Sequence, residues 1–396
     1  MSTEPRSRAW IEVDGTALRR NLETIRRMAG PRAPVVPMVK ADAYGLGMGD
    51  AVRILEPSDP WGWGVATVEE GVELRIQELD RPILVFAPTP PGAVGQALDA
   101  RLTLCVSDVH LLERIVEEAK ARKALATVHL EVDTGMGRAG FYWARVEEWL
   151  PAVTDVLERS GGRVQWEGTF THFHSADQAD PSSVETQAGR FAQTVARMPD
   201  QGGAMTHLCN SAAVLRKPEL ARKGARPGIF LYGGSAGQGL ADPAEVVAVR
   251  ARIALIREVP PGTTVGYGAT YRSRRRERWA TLGIGYGDGL RRALSNRAHV
   301  LAGNRRVPIV GRISMDMTVV DITDLPQLIP GDVVTVLGTQ GTERITLEEM
   351  ASLADTNNYE ILTGFTRRLP RIWDEDPGNR HGGQRDAPGW RTRNVG

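Results

Sequence analysis

The sequence predicts an α/β fold: a (β/α)8 barrel of the TIM type followed by a mainly β C-terminal domain. Three observations carry that reading. Short apolar runs alternate with amphipathic helical stretches as far as about residue 235, the alternation yields eight such runs, and beyond residue 240 strand-like runs follow one another with only Gly, Pro and Asp turns between them. Parallel strands need long crossovers, whereas antiparallel ones need only turns. The chain therefore divides into a barrel over 1–239, a β domain over 240–375 and a Gly-, Pro- and Arg-rich stretch over 376–396 that is expected to be a disordered tail.

The first helix is expected over 14–29, where Asp14 can cap, Leu18, Leu22, Ile25 and Met28 form a stripe, and Gly30 closes the segment. The eight barrel runs are VVPMV ending at Lys40, then 61–67, 83–86, 102–106, 127–132, 164–173, 205–209 and 229–232. Segments such as VEEGVELRIQEL and HLLERIVEEAKARKAL are long enough for the crossovers. The strand at 10–13 is left over and free to pair with the second domain. There EVVAVRARIALIREV, RWATLGIGYG, RRVPIVGRI, MTVVDI and DVVTVLG read as strands, and a capping box of Thr346 and Glu349 starts one helix.

Forty-nine basic and 48 acidic residues leave a net charge of +1, which removes the electrostatic reason to expect nucleic acid or an anionic membrane as the partner. The run Arg274, Arg275, Arg276 and Arg278 reads as a solvated hairpin. Two cysteines, Cys105 and Cys209, fit a reducing compartment. No apolar signal core or stretch of about 18 apolar residues occurs, so the expected location is the cytoplasm. No cluster has metal-ligand spacing; His172 and His174, two apart on a strand, would face opposite sides.

Only five basic residues are lysines, and Lys120, Lys123, Lys217 and Lys223 lie in polar text. Lys40 ends an apolar run, at the barrel-strand end where catalytic groups sit. A desolvated lysine can form a Schiff base or act as a base, and arginine can do neither. The other strand ends carry Arg138, His172, Asn210 with Ser211, and Arg226 before Gly228 and Ile229. Loops after the last two strands of such barrels frequently hold a phosphate. A reactive lysine facing a phosphate cradle suggests pyridoxal phosphate, and no nucleotide-binding glycine loop competes.

VKADAYGLG, VDTGMGRAG, THFHSAD, HLCNSA, ARPGIFLYG, VGYGATY, GYGDGLRRALSN, GRISMDM and NYEILTGFTRRLPR resemble, in order, the signature motifs of the alanine racemases, from about residue 9 to 371. The resemblance implies a pyridoxal 5'-phosphate enzyme that interconverts L- and D-alanine, supplying D-alanine for the cell wall, and a homodimer whose two sites borrow residues from each other. It implies Lys40 as the Schiff-base lysine and Tyr267 as a second base given across the dimer. It places His172 beside that phenol, Arg226 at the pyridine nitrogen, and Arg138 near the cofactor phenolate and the substrate carboxylate. Tyr44, Asn210, Ser211, Gly228, Ile229 and Tyr359 would form the cofactor shell, and Met315, Asp316 and Tyr286 the substrate wall. Two bases suit racemisation, because the α-proton leaves one face of a planar carbon and returns to the other.

Three positions depart from the pattern. Glu131 stands where many members carry a carbamylated lysine that orients the arginine matching Arg138, and its contact could be direct, through water or through an anion. Ser314 replaces a usual cysteine and Leu290 a usual aromatic, which could alter substrate entry and leaves a broader-specificity racemase of the same fold as the alternative. A decarboxylase is disfavoured, because those enzymes use a cysteine in the second domain and none follows Cys209.

Overall fold

The computed structural model describes residues 6–374 apart from residue 78 and residues 201–203; the tail read at 376–396 lies outside the described residues. Six parallel strands, Trp63–Val65, Ile83–Val85, Thr103–Val106, Ala126–Asp133, Val164–Phe170 and Met205–His207, lie side by side in that order. The first three are buried throughout, as a barrel wall covered on both faces requires. Single-residue bridges close the ring, Val35 and Cys209 each pairing with Ala225 and Met38 with Gly64. The N–H groups of Val36 and Met38 donate to the carbonyls of Ala225 and Pro227 at 2.8 and 2.9 Å. Segments 35–39 and 225–227 are therefore the first and eighth staves.

The eighth strand departs from the sequence reading. The run 229–232 is not the eighth strand but a chain of tight turns, in which the N–H groups of Leu231, Tyr232 and Gly233 bond back three residues. Its apolarity reflects burial, and a short buried run looks the same whether it is extended or turned. The true stave, Ala225-Arg226-Pro227, was hidden by its charge and its proline.

Helix Gly15–Ala29 begins where Asp14 accepts the Ala17 N–H at 2.8 Å. Leu18, Leu22 and Ile25 are buried, but Met28 is exposed and Ala29 takes its place in the buried stripe. Helices Val68–Arg75 and Val109–Arg122 start from Thr67 and Asp108 caps. The helix from Leu347 to Ala354 starts where Thr346 accepts the Glu349 N–H.

The β unit is organised around one long strand, Val247–Val259. Its first half pairs antiparallel with Ala9–Asp14, its second half pairs with Glu277–Leu282, and Val333–Gln340 lies along its other edge. The N-terminal strand thus joins the second sheet, where it also pairs in parallel with Arg371–Asp374. This places the first and last described strands next to each other, with Arg371 and Trp373 reaching the carbonyls of Gly45 and Leu46 in the loop that follows Lys40. No helix of the described residues is long and apolar enough to cross a membrane.

Candidate active site

The stave 35–39 delivers Lys40 to the C-terminal mouth of the barrel, and the backbone then turns in an uncommon way. Ala41, Asp42, Ala43 and Tyr44 all have φ between 52° and 58°, a left-handed helical turn made without glycine. Left-handed backbone costs an L-residue roughly 1–2 kcal/mol, so surrounding contacts must hold the turn in place. Tyr44, at its end, is buried and stacks on Tyr232, ring centres 4.7 Å apart, while Tyr359 lies 6.2 Å away. The Tyr232 hydroxyl donates to the Met38 carbonyl at 2.8 Å and so fixes the stave from behind.

A cradle lies beside this turn. Ser211 Oγ accepts the Gly228 N–H at 2.8 Å, and a side chain at Gly228 would come within 2.1 Å of the Tyr44 hydroxyl. Only glycine fits there. The buried Ile229 N–H donates to no protein acceptor among the described residues. A phenol, a hydroxyl and two backbone N–H groups, one of them unpartnered, converge as an anion such as a phosphate ester requires. Asn210 serves the same corner as a helix cap, its Oδ1 accepting the Ala213 N–H at 3.0 Å.

Arg226 is buried on the eighth stave, between Phe86 and Phe170 with its guanidinium 5.6 and 5.2 Å from their ring centres. Its N–H groups reach Nδ1 of His207 at 2.8 Å, the Thr171 carbonyl at 2.8 Å and Nδ1 of His172 at 3.4 Å. Burial brings its pKa down to about 10. His172 is held down to about 3 by burial and then by Arg226. The Lys40 amine is likewise lowered, first by burial and then by Arg138. A lysine in so cationic a setting holds its proton less tightly, as a nucleophile or base needs.

Glu131 is buried in the barrel wall, and Ser107 Oγ donates to its Oε2 at 3.0 Å. Burial raises its carboxyl pKa, with Ser107 and Arg138 opposing. No hydrogen bond or ion pair joins Glu131 to Arg138 among the described residues, and Arg138 is exposed.

Among the described residues, the remaining candidates make no hydrogen bond, ion pair or ring contact with this group. Tyr267 is 70% exposed, on a turn between the paired segments Thr264–Val265 and Tyr271–Arg272. Tyr286 and Met315 are exposed as well, and Asp316 binds Arg368 at 2.6 Å. Gly285 packs on the Ser314 and Met315 carbonyls, which brings the Tyr286 and Met315 loops together. Leu290 is fully buried in the core and so does not border an entrance, contrary to the expectation from sequence. Sequence reasoning passed over His129 and His207, which are fully buried inside apolar strand text with their rings 5.0 Å apart. Their signal was a polar ring in a run that otherwise had none.

Fold and site together define a barrel enzyme of the lysine-and-phosphate type with a β unit appended. Residues 13–236 match the alanine racemase N-terminal domain and residues 246–373 the alanine racemase C-terminal domain. Among curated relatives, the alanine racemase of Carboxydothermus hydrogenoformans is 36% identical over 92% of this chain and 99% of its own. That of Symbiobacterium thermophilum is 37% identical over 92% and 96%. Two solved structures superpose with a TM-score of 0.87: the alanine racemase of Bacillus anthracis with bound L-Ala-P (30% identity, 94% and 97% coverage) and that of the D-cycloserine producer Streptomyces lavendulae (31%, 96% and 100%). The Bartonella henselae alanine racemase, solved with covalently bound pyridoxal phosphate, superposes with a TM-score of 0.83 at 26% identity over 93% and 100%. The chain belongs to the alanine racemase family.

Proposed function

We propose that this protein interconverts L- and D-alanine with pyridoxal 5'-phosphate held at Lys40, and that it works as a cytoplasmic homodimer in which Tyr267 of a second copy completes each site. The single observation that carries the reading is a separation. Lys40 lies in a cationic barrel mouth, whereas Tyr267 is 70% exposed and, among the described residues, makes no hydrogen bond, ion pair or ring contact with the barrel's site residues. Two bases on opposite faces of one substrate then call for two chains.

The residues present fit the cofactor. The Gly228 corner admits no Cβ and offers the Ile229 N–H, so Tyr44, Ser211, Gly228 and Ile229 would hold the phosphate and Lys40 the aldehyde carbon. Bound pyridoxal phosphate supplies an electron sink that acidifies the substrate α-carbon. Arg226 stays protonated and can only donate, so it would leave the ring nitrogen unprotonated and restrain that sink. Lys40 Nζ, made less basic by burial and by Arg138, takes and returns the α-proton on one face. Arg138, exposed at the mouth, meets the substrate carboxylate. Tyr267 of the second copy serves the other face, with Tyr286, Met315 and Asp316 of that copy forming the wall and Tyr359 narrowing the mouth.

Circular dichroism of L- and D-alanine solutions tests the activity. Both should converge to zero rotation with the purified protein, and a persistent signal from either enantiomer would refute the assignment.

A further inference from the structure

The loop after Lys40 is gripped from two sides, once by the barrel and once by the β unit, and neither grip is needed for the local fold of the element that makes it. On the barrel side, Glu70 stands at the third position of helix Val68–Arg75, where one carboxylate oxygen completes an ordinary cap. Its Oε2 accepts the N–H groups of Ala66 at 2.7 Å and Thr67 at 3.4 Å. Its Oε1 reaches outside the helix and accepts the Ala41 N–H at 2.7 Å, the amide directly after Lys40. A cap alone leaves that second oxygen to water.

On the other side, Arg371 opens the strand Arg371–Asp374. Nε and Nη2 both donate to the Gly45 carbonyl, at 2.9 and 2.7 Å. The other bonds go to the carbonyls of Thr366 and Leu369 at 2.6 Å and of Phe365 at 2.8 Å. All five N–H donors of the guanidinium are thus engaged by backbone oxygens, and no carboxylate takes part. The four left-handed residues run from Ala41 to Tyr44, directly before Gly45. A conformation the chain disfavours is therefore pinned at its first amide and at the carbonyl of the glycine that follows it.

We propose that Glu70 and Arg371 are positioning residues for Lys40: the carboxylate and the guanidinium hold the two ends of the left-handed turn and thereby fix the direction from which the lysine amine meets the cofactor. The proposal rests on the reading that Lys40 carries pyridoxal phosphate. Misplacing a reacting atom by about an ångström commonly costs on the order of a hundredfold in rate. Glu70→Gln keeps the cap and turns one acceptor oxygen into a donor. Arg371→Lys keeps the charge and loses the fork.

The test uses the full-length protein freed of cofactor by hydroxylamine dialysis. One measurement is the rate at which Lys40 condenses with added pyridoxal phosphate; the amine nitrogen bonds to the aldehyde carbon with loss of water, and borohydride then fixes the product for peptide mass analysis. The other is the affinity for pyridoxine phosphate, which has the ring and phosphate but no aldehyde. Each variant should slow capture by about tenfold or more while analogue affinity stays within about threefold, because the phosphate cradle is left alone. Unchanged capture in both variants overturns the proposal. So does a parallel loss of capture and analogue affinity, which a merely structural role predicts. A fixed product on another lysine of the unaltered protein would instead overturn the assignment of Lys40, and this proposal with it, so the two failures are told apart.

Discussion

Arg226 donates through Nη1 to Nδ1 of His207 at 2.8 Å, and that one contact sets the proton positions of a buried chain. A guanidinium only donates, so His207 must accept at Nδ1 and carry its proton on Nε2. Nε2 lies 2.8 Å from Nδ1 of His129, which accepts in turn, and Nε2 of His129 faces Glu167 at 3.2 Å. Donation therefore runs one way, from Arg226 through both rings to a carboxylate at the barrel wall.

Both rings have to stay neutral for this order to persist. Burial and then Arg226 hold His207 well below 6.5, and burial lowers His129. Below about pH 6.5 the unfolded chain binds protons at these sites and the folded chain does not, so stability falls with acidification at up to about 1.4 kcal/mol per pH unit for each ring. His207→Asn should remove about one proton from that slope between about pH 6 and 4, measured by urea unfolding at fixed protein concentration. Equal slopes would show that His207 is charged in the folded state.

The geometry at Glu131 gives a smaller expectation than its family position suggests. Its carboxylate receives Ser107 and no bond from Arg138, so Glu131→Gln should change kcat/KM by less than about tenfold, since a lost charge-assisted hydrogen bond would account for more. Stability moves the other way. Burial raises the folded pKa above that of the unfolded chain, so ionised Glu131 opposes folding as pH rises through the folded pKa. Glu131→Gln should melt higher than the parent at pH 8 and lose the difference toward pH 4. Lower melting at pH 8 would mean that the charge is compensated.

Gly228→Ala should weaken pyridoxal phosphate binding by about tenfold or more, because its methyl group would meet the Tyr44 hydroxyl at 2.1 Å. Pairing it with Tyr44→Phe removes the oxygen that clashes and should restore part of the folded yield. Titration of the cofactor-free protein measures the first effect and thermal unfolding the second. Unaltered affinity in the single variant would place the phosphate elsewhere.

Tyr267→Ala should be directional. Solvent deuterium should still enter the α-carbon from one enantiomer through Lys40, while exchange from the other and net racemisation fall by about 10²–10⁴-fold, the usual loss with a general base. Equal loss from both enantiomers would reject the division of labour.

The barrel was legible because its strands are apolar text between helical stretches, and Lys40 stood out as a charge ending such a run. The eighth stave was not legible, since Arg226 and Pro227 look like loop residues, whereas the apolar 229–232 looked like strand and folds as turns. Nothing in Ala-Asp-Ala-Tyr marks a left-handed turn; the contacts at its two ends are tertiary, from Glu70 and Arg371. Tyr267, between two glycines, reads as a turn aromatic and gained its role only through the family resemblance. Leu290 shows the converse error, for a residue inferred at an entrance turned out to be core.

The shared site can be tested by mixing two inactive proteins. Lys40→Ala and Tyr267→Ala chains, each inactive as a homodimer, are unfolded, combined in equal amounts and refolded with pyridoxal phosphate. If each site takes Lys40 from one chain and Tyr267 from the other, every mixed dimer has one intact site, and random pairing should restore about one quarter of the parent racemase activity. If both residues serve within one chain, the mixture stays as inactive as its components, and the shared site is refuted.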